Sequence, residues 1–154
     1  MGFIFIQDLL NSVKQEFDSL VAKGFDARFV HIAVIFARKK IISIGYNHTD
    51  KVKNYKDRPF NISKHAEIDA LHKTGKINYK RCNILVVRLR KDVKGNYFFL
   101  NSKPCVECTN KIKKHNFNKV LFSNENNQIV EMPAEHLISD HRSLGTLALL
   151  DFNK

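Results

Sequence analysis

The spacing of apolar residues divides the chain into helical and extended segments. Residues 7–22 carry apolar side chains three and four positions apart, which predicts an amphipathic helix that Gly24 ends. Residues 29–37 and 41–46 predict two strands, and the short basic turn between them permits only an antiparallel hairpin. The predicted core positions of the first helix are Leu9, Leu10, Val13, Phe17, Leu20 and Val21.

The rest of the chain continues this alternation. Residues 47–62 are polar and contain Pro59, so they predict a loop, and residues 64–74 predict a helix ending near Gly75. Residues 82–90 predict a third strand, and residues 92–99 a turn followed by an extended stretch. A helix over 105–115, strands over 118–123 and 128–132, and a closing helix over 134–150 complete the prediction. Strands alternating with helices indicate a layered α/β fold, here as a single domain over residues 1–154.

Composition narrows the class of protein. The sequence is 44% hydrophobic, which is enough for a packed core. Its longest apolar stretch, residues 29–37, is too short to span a bilayer. The first residues lack the basic region of a signal peptide, so we expect an intracellular, cytoplasmic protein with no membrane partner. The three cysteines are too few for a disulfide framework, and Cys82, before an apolar strand, is predicted to be a small buried residue.

Positive charge is unevenly distributed along the chain. The net charge is +11, and residues 73–100 contribute eight basic and one acidic side chain, a net of +7. Residues 124–154 contribute two basic and five acidic side chains, a net of −3. A basic middle segment favours partners that carry phosphate, either a nucleotide or a nucleic acid.

Two short motifs hold the residues with candidate chemistry. The first is "HAE" at residues 65–67, and the second is "PCVEC" at residues 104–108. Cys105 and Cys108 lie three positions apart at a predicted helix start, where a thiolate is favoured, so both are candidate zinc ligands. His65 supplies a third ligand and leaves one position open, which is the pattern of a catalytic zinc site. A closed structural zinc site and a redox pair remain the alternatives, but neither explains Glu67.

The two motifs in this order resemble the signature of the zinc-dependent cytidine deaminase-like superfamily, H-x-E followed by P-C-x-x-C. The resemblance extends over roughly residues 30–125. It implies a three-layer α/β/α fold with a five-stranded mixed sheet, and Zn²⁺ held by His65, Cys105 and Cys108. It also implies hydrolytic removal of an exocyclic amine, with Glu67 as the catalytic residue that moves protons between the attacking water, the base and the leaving ammonia.

The resemblance further implies where substrate binds. Asn47 ends the stretch "SIGYN", where relatives keep an asparagine that contacts base or sugar. The backbone N–H of Ala66, at the start of a helix, is the second predicted substrate contact. The loop before the "HAE" helix supplies candidate phosphate contacts and two aromatic side chains for base stacking. These are Lys51, Lys53, Lys56, Arg58 and Lys64, with Tyr55 and Phe60.

The favoured function is a hydrolase that deaminates cytosine to uracil on a nucleotide or a single-stranded nucleic acid. The short "NENN" turn predicts antiparallel fourth and fifth strands, as in free-nucleoside cytidine deaminases, whereas the tRNA enzymes run these strands parallel. A tRNA-type adenosine deaminase and a non-catalytic, zinc-stabilised nucleic-acid-binding module are the alternatives. Glu67 argues against the module, which has no use for a carboxylate that is not a ligand. Whether the chain forms a homo-oligomer is left open.

Overall fold

A computed structural model of the chain describes residues 3–55 and 58–139 as three helices and eight strands, with short 3₁₀ turns between some of them. The helices are α1 (Phe3–Ala22), α2 (Ala66–Thr74) and α3 (Val106–Lys114). The strands are β1 (His31–Ala37), β2 (Lys40–Tyr46), β3 (His48–Tyr55), β4 (Arg58–Lys64), β5 (Asn83–Lys91), β6 (Tyr97–Leu100), β7 (Lys119–Ser123) and β8 (Ile129–Pro133).

The main sheet is mixed and has six strands. Its order is β2-β1-β5-β7-β8, and β6 pairs with the last residues of β5. The β5–β7 pair is parallel and every other pair in this sheet is antiparallel, which confirms the predicted hairpin and the antiparallel β8. The expectation of five strands was wrong. Asp92 accepts hydrogen bonds from the backbone N–H groups of Lys94 and Asn96, and this turn returns residues 97–100 along β5.

A second correction concerns residues 48–64. The sequence predicted a loop there, but β3 and β4 form a separate two-stranded antiparallel sheet. The polar composition carries no alternating apolar pattern to reveal the strands. Pro59 is compatible with β4 because each strand of a two-stranded sheet has one unpaired edge, where a missing N–H costs nothing.

The helices cover both faces of the main sheet, which confirms the three-layer α/β/α architecture. On one face, Leu9, Val13 and Phe17 of α1 are buried with Val34 of β1 and Val87 of β5. On the other face, α2 and α3 cover alternate residues of the same strands. The buried residues that α2 and α3 share with the sheet include Ala70, Ile112, Ala33, Ile84 and Val86.

Several predicted details change at the ends of elements. Helix α1 begins at Phe3 rather than residue 7, and Val21, predicted as core, is 38% exposed near its end. Cys82 is buried as predicted. The predicted helix over 134–150 is represented by a three-residue 3₁₀ turn at Ala134–His136, and residues 140–154 lie outside the described part. Within residues 3–55 and 58–139, no helix is both long and apolar enough to cross a membrane.

Helix α2 lies unusually close to β2, at Gly45. A Cβ atom at Gly45 would lie 2.3 Å from the backbone nitrogen of Ala70 and 2.5 Å from the carbonyl oxygen of Ala66. The hydroxyl of Ser43 also donates a 2.9 Å hydrogen bond to the carbonyl of Ala70. This contact fixes the position of the first turns of α2 on the sheet.

We expect Gly45→Ala to displace α2 because both atoms that the new methyl group meets belong to backbone. The free energy of unfolding should fall by about 1–3 kcal/mol or more. Gly75→Ala is the matched control: it introduces strain at a φ of 69° but meets no atom within 4 Å, so it should cost about 1 kcal/mol. Denaturant unfolding and zinc content measure the effects. Retained zinc content in Gly45→Ala would contradict the link between this contact and the metal centre.

Candidate metal centre and active site

The candidate site lies where α2 and α3 begin. His65 and Cys105 are the N-cap residues of these helices, with extended backbone angles, and neither side chain caps its own helix. Their carbonyl groups accept the first helical hydrogen bonds, from the N–H groups of Asp69 and Thr109 at 3.0 and 2.8 Å. N-cap side chains usually accept a hydrogen bond from the helix that they precede. Here both are left available for another partner.

These side chains converge with Cys108 on one point. The Nδ1 atom of His65 lies 3.2 Å from the sulfur of Cys108 and 3.5 Å from the sulfur of Cys105. All three ligand atoms lie within 4.8 Å of one another, and both cysteines are buried. Three residues separated by up to 43 positions in sequence therefore form a single cluster.

The cluster shares its protons unequally. A hydrogen bond from the Cys108 thiol, together with the bond to His65, lowers the pKa of Cys105 to about 3 against the effect of burial. The same interaction, with burial, raises the pKa of Cys108. The hydrogen bond to Cys105 raises the pKa of His65, although burial opposes it. A negative sulfur on Cys105 is thus stabilised by hydrogen bonds from the Cys108 thiol and the His65 imidazole, as expected of a site that exchanges protons for a metal cation.

The donor set fits zinc. Two thiolates and one imidazole match the soft and borderline ligands that Zn²⁺ accepts in tetrahedral sites. In the described part of the chain, no other histidine, cysteine or carboxylate side chain lies close enough to act as a fourth ligand. Three protein ligands with one open position are typical of a catalytic rather than a structural zinc site.

Glu67 lies beside this cluster in the first turn of α2. Its side chain is only 5% exposed and is within hydrogen-bonding reach of Cys108. Burial raises the pKa of Glu67, while its own backbone N–H and His65 oppose the shift. A carboxyl group with a raised pKa next to a metal-ligand cluster is suited to accept and return protons.

A family model for the cytidine and deoxycytidylate deaminase zinc-binding region matches residues 19–124, more than half of the chain. The chain belongs to the cytidine and deoxycytidylate deaminase family. It is therefore a hydrolytic deaminase, and its cofactor is Zn²⁺. No curated protein sequence matches the chain significantly.

Two solved structures of one phage enzyme are similar to this chain. The deoxycytidylate (dCMP) deaminase of the cyanophage S-TIM5, crystallised with dCMP and dUMP, is 18% identical, with a TM-score of 0.54. The match covers 81% of this chain and 85% of the phage chain. The apo form of the phage enzyme is 19% identical, covers 79% of this chain and 74% of the phage chain, and has a TM-score of 0.41. At 18% identity, the first match shows that the fold is shared.

Asn47, predicted to contact substrate, has both ends of its amide bound to backbone in this deaminase. Its Oδ1 accepts a 2.7 Å hydrogen bond from the N–H of His31, and its Nδ2 donates to the carbonyl of Phe29 at 2.6 Å. Ala66 is buried as the first residue of α2, where helix geometry provides no acceptor for its N–H. Contacts of Asn47 and Ala66 with substrate stay predictions.

The predicted phosphate contacts are only partly described in the deaminase. The side chains of Lys51, Lys53, Tyr55, Arg58 and Phe60 lie outside the described part, as does the whole of Lys56. Lys64 is described, and its ammonium group lies 3.9 Å from Asp69. These contacts with phosphate or base therefore stay predictions.

Two residues that the sequence did not single out lie close to the deaminase site. His31 begins β1, and burial, followed by the charges of Arg88 and His65, lowers its pKa to about 4. Its imidazole is therefore neutral at pH 7. Arg88 lies opposite His31 in the β1–β5 pair. The sequence signal for Arg88 was an arginine within the apolar run "ILVVRL". That signal did not show that Arg88 lies opposite His31, because the register between two strands is not visible in the sequence.

A separate cavity of about 590 Å³ lies at the other ends of α2 and α3. Its lining includes Leu71, Tyr79, Lys80, Lys111 and His115. None of the candidate site residues of the deaminase lines it, so the size of a cavity does not locate the chemistry here.

Asp69 anchors the start of α2 to the end of β2. Its buried carboxylate accepts a 3.0 Å hydrogen bond from the N–H of Tyr46 and lies 2.9 Å from the ammonium group of Lys73. Burial acts to raise the pKa of Asp69, but the hydrogen bonds from Lys73 and Tyr46 outweigh it, so the pKa is lowered. The charged carboxylate therefore stabilises the fold that presents His65 and Glu67.

We expect Asp69→Asn to lower the free energy of unfolding by about 1–3 kcal/mol at pH 7, mainly through the buried hydrogen bond. Lys73 is nearly half exposed, so its ion pair contributes little. Because the pKa is depressed, the stabilisation is present above the ordinary value of 3.8 and is lost as pH falls through the lowered pKa. The difference between wild type and variant in urea unfolding should therefore shrink at acid pH.

Asp26→Asn is the matched control, because Asp26 forms an exposed ion pair with Arg28 and its loss should cost clearly less stability than the loss of Asp69. Equal losses in the two variants would contradict the anchoring role of Asp69.

Proposed function

We propose that this protein converts cytosine to uracil on a nucleotide that bears a phosphate. The observation that carries the proposal is the buried Glu67 carboxyl group beside the His65, Cys105 and Cys108 cluster at two helix N-termini. The phage enzyme that shares the fold was crystallised with dCMP and dUMP, which supports a nucleotide substrate. The net charge of +11 favours a substrate with phosphate.

In this proposal, His65, Cys105 and Cys108 hold Zn²⁺. When bound, zinc lowers the pKa of a water molecule so that a hydroxide nucleophile is available near neutral pH. These three residues would leave one coordination position for water, and Glu67 lies buried beside Cys108. No further protein ligand is required.

Glu67 carries the protons in this proposal. Deamination adds water at C4 of the cytosine ring and breaks the bond from C4 to the exocyclic nitrogen, releasing ammonia. Glu67 accepts a proton from the attacking water and delivers it to the ring nitrogen beside C4. It then accepts the proton of the new hydroxyl group on C4 and passes it to the departing amine, so that a carbonyl group and ammonia are formed. Its raised pKa suits this role, because the group must both accept and donate a proton near neutral pH.

Asn47 and Ala66 orient the substrate in this proposal. The N–H of Ala66, the first residue of α2, has no helical acceptor and can donate to the polar edge of the base. The amide of Asn47 keeps one hydrogen and one lone pair beyond its backbone bonds, which suffice for a contact with sugar or base.

The antiparallel β7–β8 pair supports a free, monomeric substrate over a polynucleotide. Free-nucleoside cytidine deaminases resemble this arrangement, whereas tRNA adenosine deaminases and editing deaminases run the corresponding strands parallel. The identity of the base remains part of the proposal. Incubating the protein with dCMP, cytidine, single-stranded DNA and tRNA, followed by mass spectrometry of the nucleosides, tests it. Conversion of dCMP to dUMP is expected; inosine in tRNA with no uracil product would overturn the proposal.

The zinc content should be about one ion per chain, and Cys108→Ser should reduce it well below one because a ligand thiolate is lost. Cys82→Ala is the matched control: it removes the third buried cysteine, which lies outside the cluster, and should keep the zinc. Elemental analysis of the purified proteins provides the measurement. Equal zinc loss in both variants would show that the ligand assignment is incorrect.

Glu67→Gln should retain zinc and fold but lose deamination. Glutamine preserves the shape and polar contacts of Glu67 but cannot accept and return a proton, so kcat should fall by about 10²–10⁴-fold or more. Glu135→Gln, an exposed acidic residue away from the site, should leave kcat within about twofold. Near-normal turnover by Glu67→Gln would refute the mechanism. Loss of zinc together with activity would instead assign Glu67 a structural role.

A further inference from the structure

Arg88 of β5 has a guanidinium group that is only partly satisfied. Its Nη2 donates a 3.0 Å hydrogen bond to the carbonyl of Arg28, whereas its buried Nε has no hydrogen-bond partner. Among the residues that the structure describes, no carboxylate lies within 4.0 Å of it. The side chain as a whole is half-buried, but a buried donor without an acceptor costs free energy, and Nε is such a donor. The missing acceptor points to an anion that binds there.

Strand alternation puts Arg88 on the same face of the sheet as the metal cluster. Val86, two residues earlier on β5, and Ala33 on β1 both pack beneath α2 and α3. His31 and Arg88 are the next pair along that face, at the end of β1 where the strand begins. Val86 also accepts a 2.6 Å hydrogen bond from the hydroxyl of Ser102, in the segment that leads to Cys105.

Electrostatics and hydrogen bonding support the same location. The charges of both Arg88 and His65 act on the imidazole of His31, so His31 lies near the two of them. Arg88 and Asn47 are both bound to the short segment that precedes β1, through the carbonyls of Arg28 and Phe29. The predicted substrate contact and the unsatisfied arginine are thus held side by side.

We propose that Arg88 binds the phosphate monoester of the substrate and so selects a nucleotide over a nucleoside; this rests on the proposed function. A phosphate monoester carries nearly two negative charges at pH 7 and three acceptor oxygens. The Nε–H and the remaining guanidinium hydrogens form a planar fork that matches phosphate oxygens in bidentate geometry. If Arg88 had only a structural role, its guanidinium group would use one of its five N–H donors, in the bond to the carbonyl of Arg28, and would leave the buried Nε without an acceptor.

The test compares substrates that differ only in phosphate. kcat and KM are measured for dCMP, deoxycytidine and a short oligodeoxynucleotide with one cytosine and no terminal phosphate, using wild type, Arg88→Gln and Arg88→Lys. Arg81→Gln is the matched control, because it removes the same charge from an exposed position before the opposite end of β5. Circular dichroism and zinc content are recorded for every variant.

In Arg88→Gln, the KM for dCMP should rise at least tenfold, with a smaller change in kcat. The ratio of kcat/KM for dCMP to that for deoxycytidine should fall at least tenfold. Arg88→Lys should recover part of this ratio, since it restores the charge but not the fork, and Arg81→Gln should change the ratio less than twofold. An equal fall for dCMP and deoxycytidine in Arg88→Gln would assign Arg88 a structural role. A selective loss for the oligonucleotide alone would identify an internal phosphodiester and overturn the proposal.

Calorimetric titration separates this proposal from the proposed function. Wild type should bind dUMP at least tenfold more tightly than deoxyuridine, and Arg88→Gln should remove most of that difference. If the wild type deaminates adenine rather than cytosine, the proposed function fails, and dAMP against deoxyadenosine becomes the informative pair. Loss of the phosphate-dependent difference in Arg88→Gln would then still support the assignment of Arg88. An unchanged difference for both pairs of ligands would overturn it.

Discussion

The start of two helices at one place on a sheet is the constraint on which this site depends. Helix α3 lies in the connection between the parallel strands β5 and β7. Strand β6 first returns the chain to the level of Val86, so α3 begins at the carboxyl end of the paired part of β5 and β7, the side on which ligands bind in many α/β folds. Helix α2 must then begin within a few ångströms of the same place, although it follows a different strand. Gly45 permits this approach because it has no side chain, and the buried Asp69 ties α2 to β2. The metal ligands at the two N-caps come together only because both constraints hold.

The same packing sets the protonation of the site. Close approach of α2 and α3 removes water from Glu67, which raises its pKa, while hydrogen bonds from Cys108 and His65 favour negative charge on Cys105. One environment therefore raises the pKa of a carboxyl group and lowers the pKa of a thiol. The difference arises because Glu67 is shielded by burial, whereas Cys105 accepts hydrogen bonds from Cys108 and His65.

Much of the site was predictable because its motifs are short and local. An H-x-E beside a helix start and a P-C-x-x-C at another carry their chemistry within a few residues. The prediction that the two motifs lie together in the fold came from the family resemblance and not from their spacing alone. The central strands were predictable because apolar runs such as residues 29–37 are buried on both faces of the sheet.

The elements that were missed depend on interactions that sequence patterns do not encode. Strands β3 and β4 are polar and pair only with each other, so no apolar alternation marks them. Strand β6 depends on a turn built by the Asp92 carboxylate, and its four residues are each half-buried. Arg88 was missed because its surroundings depend on the register of β1 against β5.

The distribution of charge along the sequence is a further feature whose meaning depends on the fold. The basic segment at residues 73–100 was interpreted as a single feature that favours phosphate. The fold divides it: Lys76 and Lys80 line the cavity at the far ends of α2 and α3, whereas Arg88 lies on the sheet face near the metal cluster. Exposed lysines at the end of a helix are explained by the helix dipole and by solvation without any ligand. A half-buried guanidinium whose buried Nε has no acceptor, and which has no acidic partner among the described residues, lacks such an explanation, so this one arginine is stronger evidence for a phosphate than the whole of the net charge.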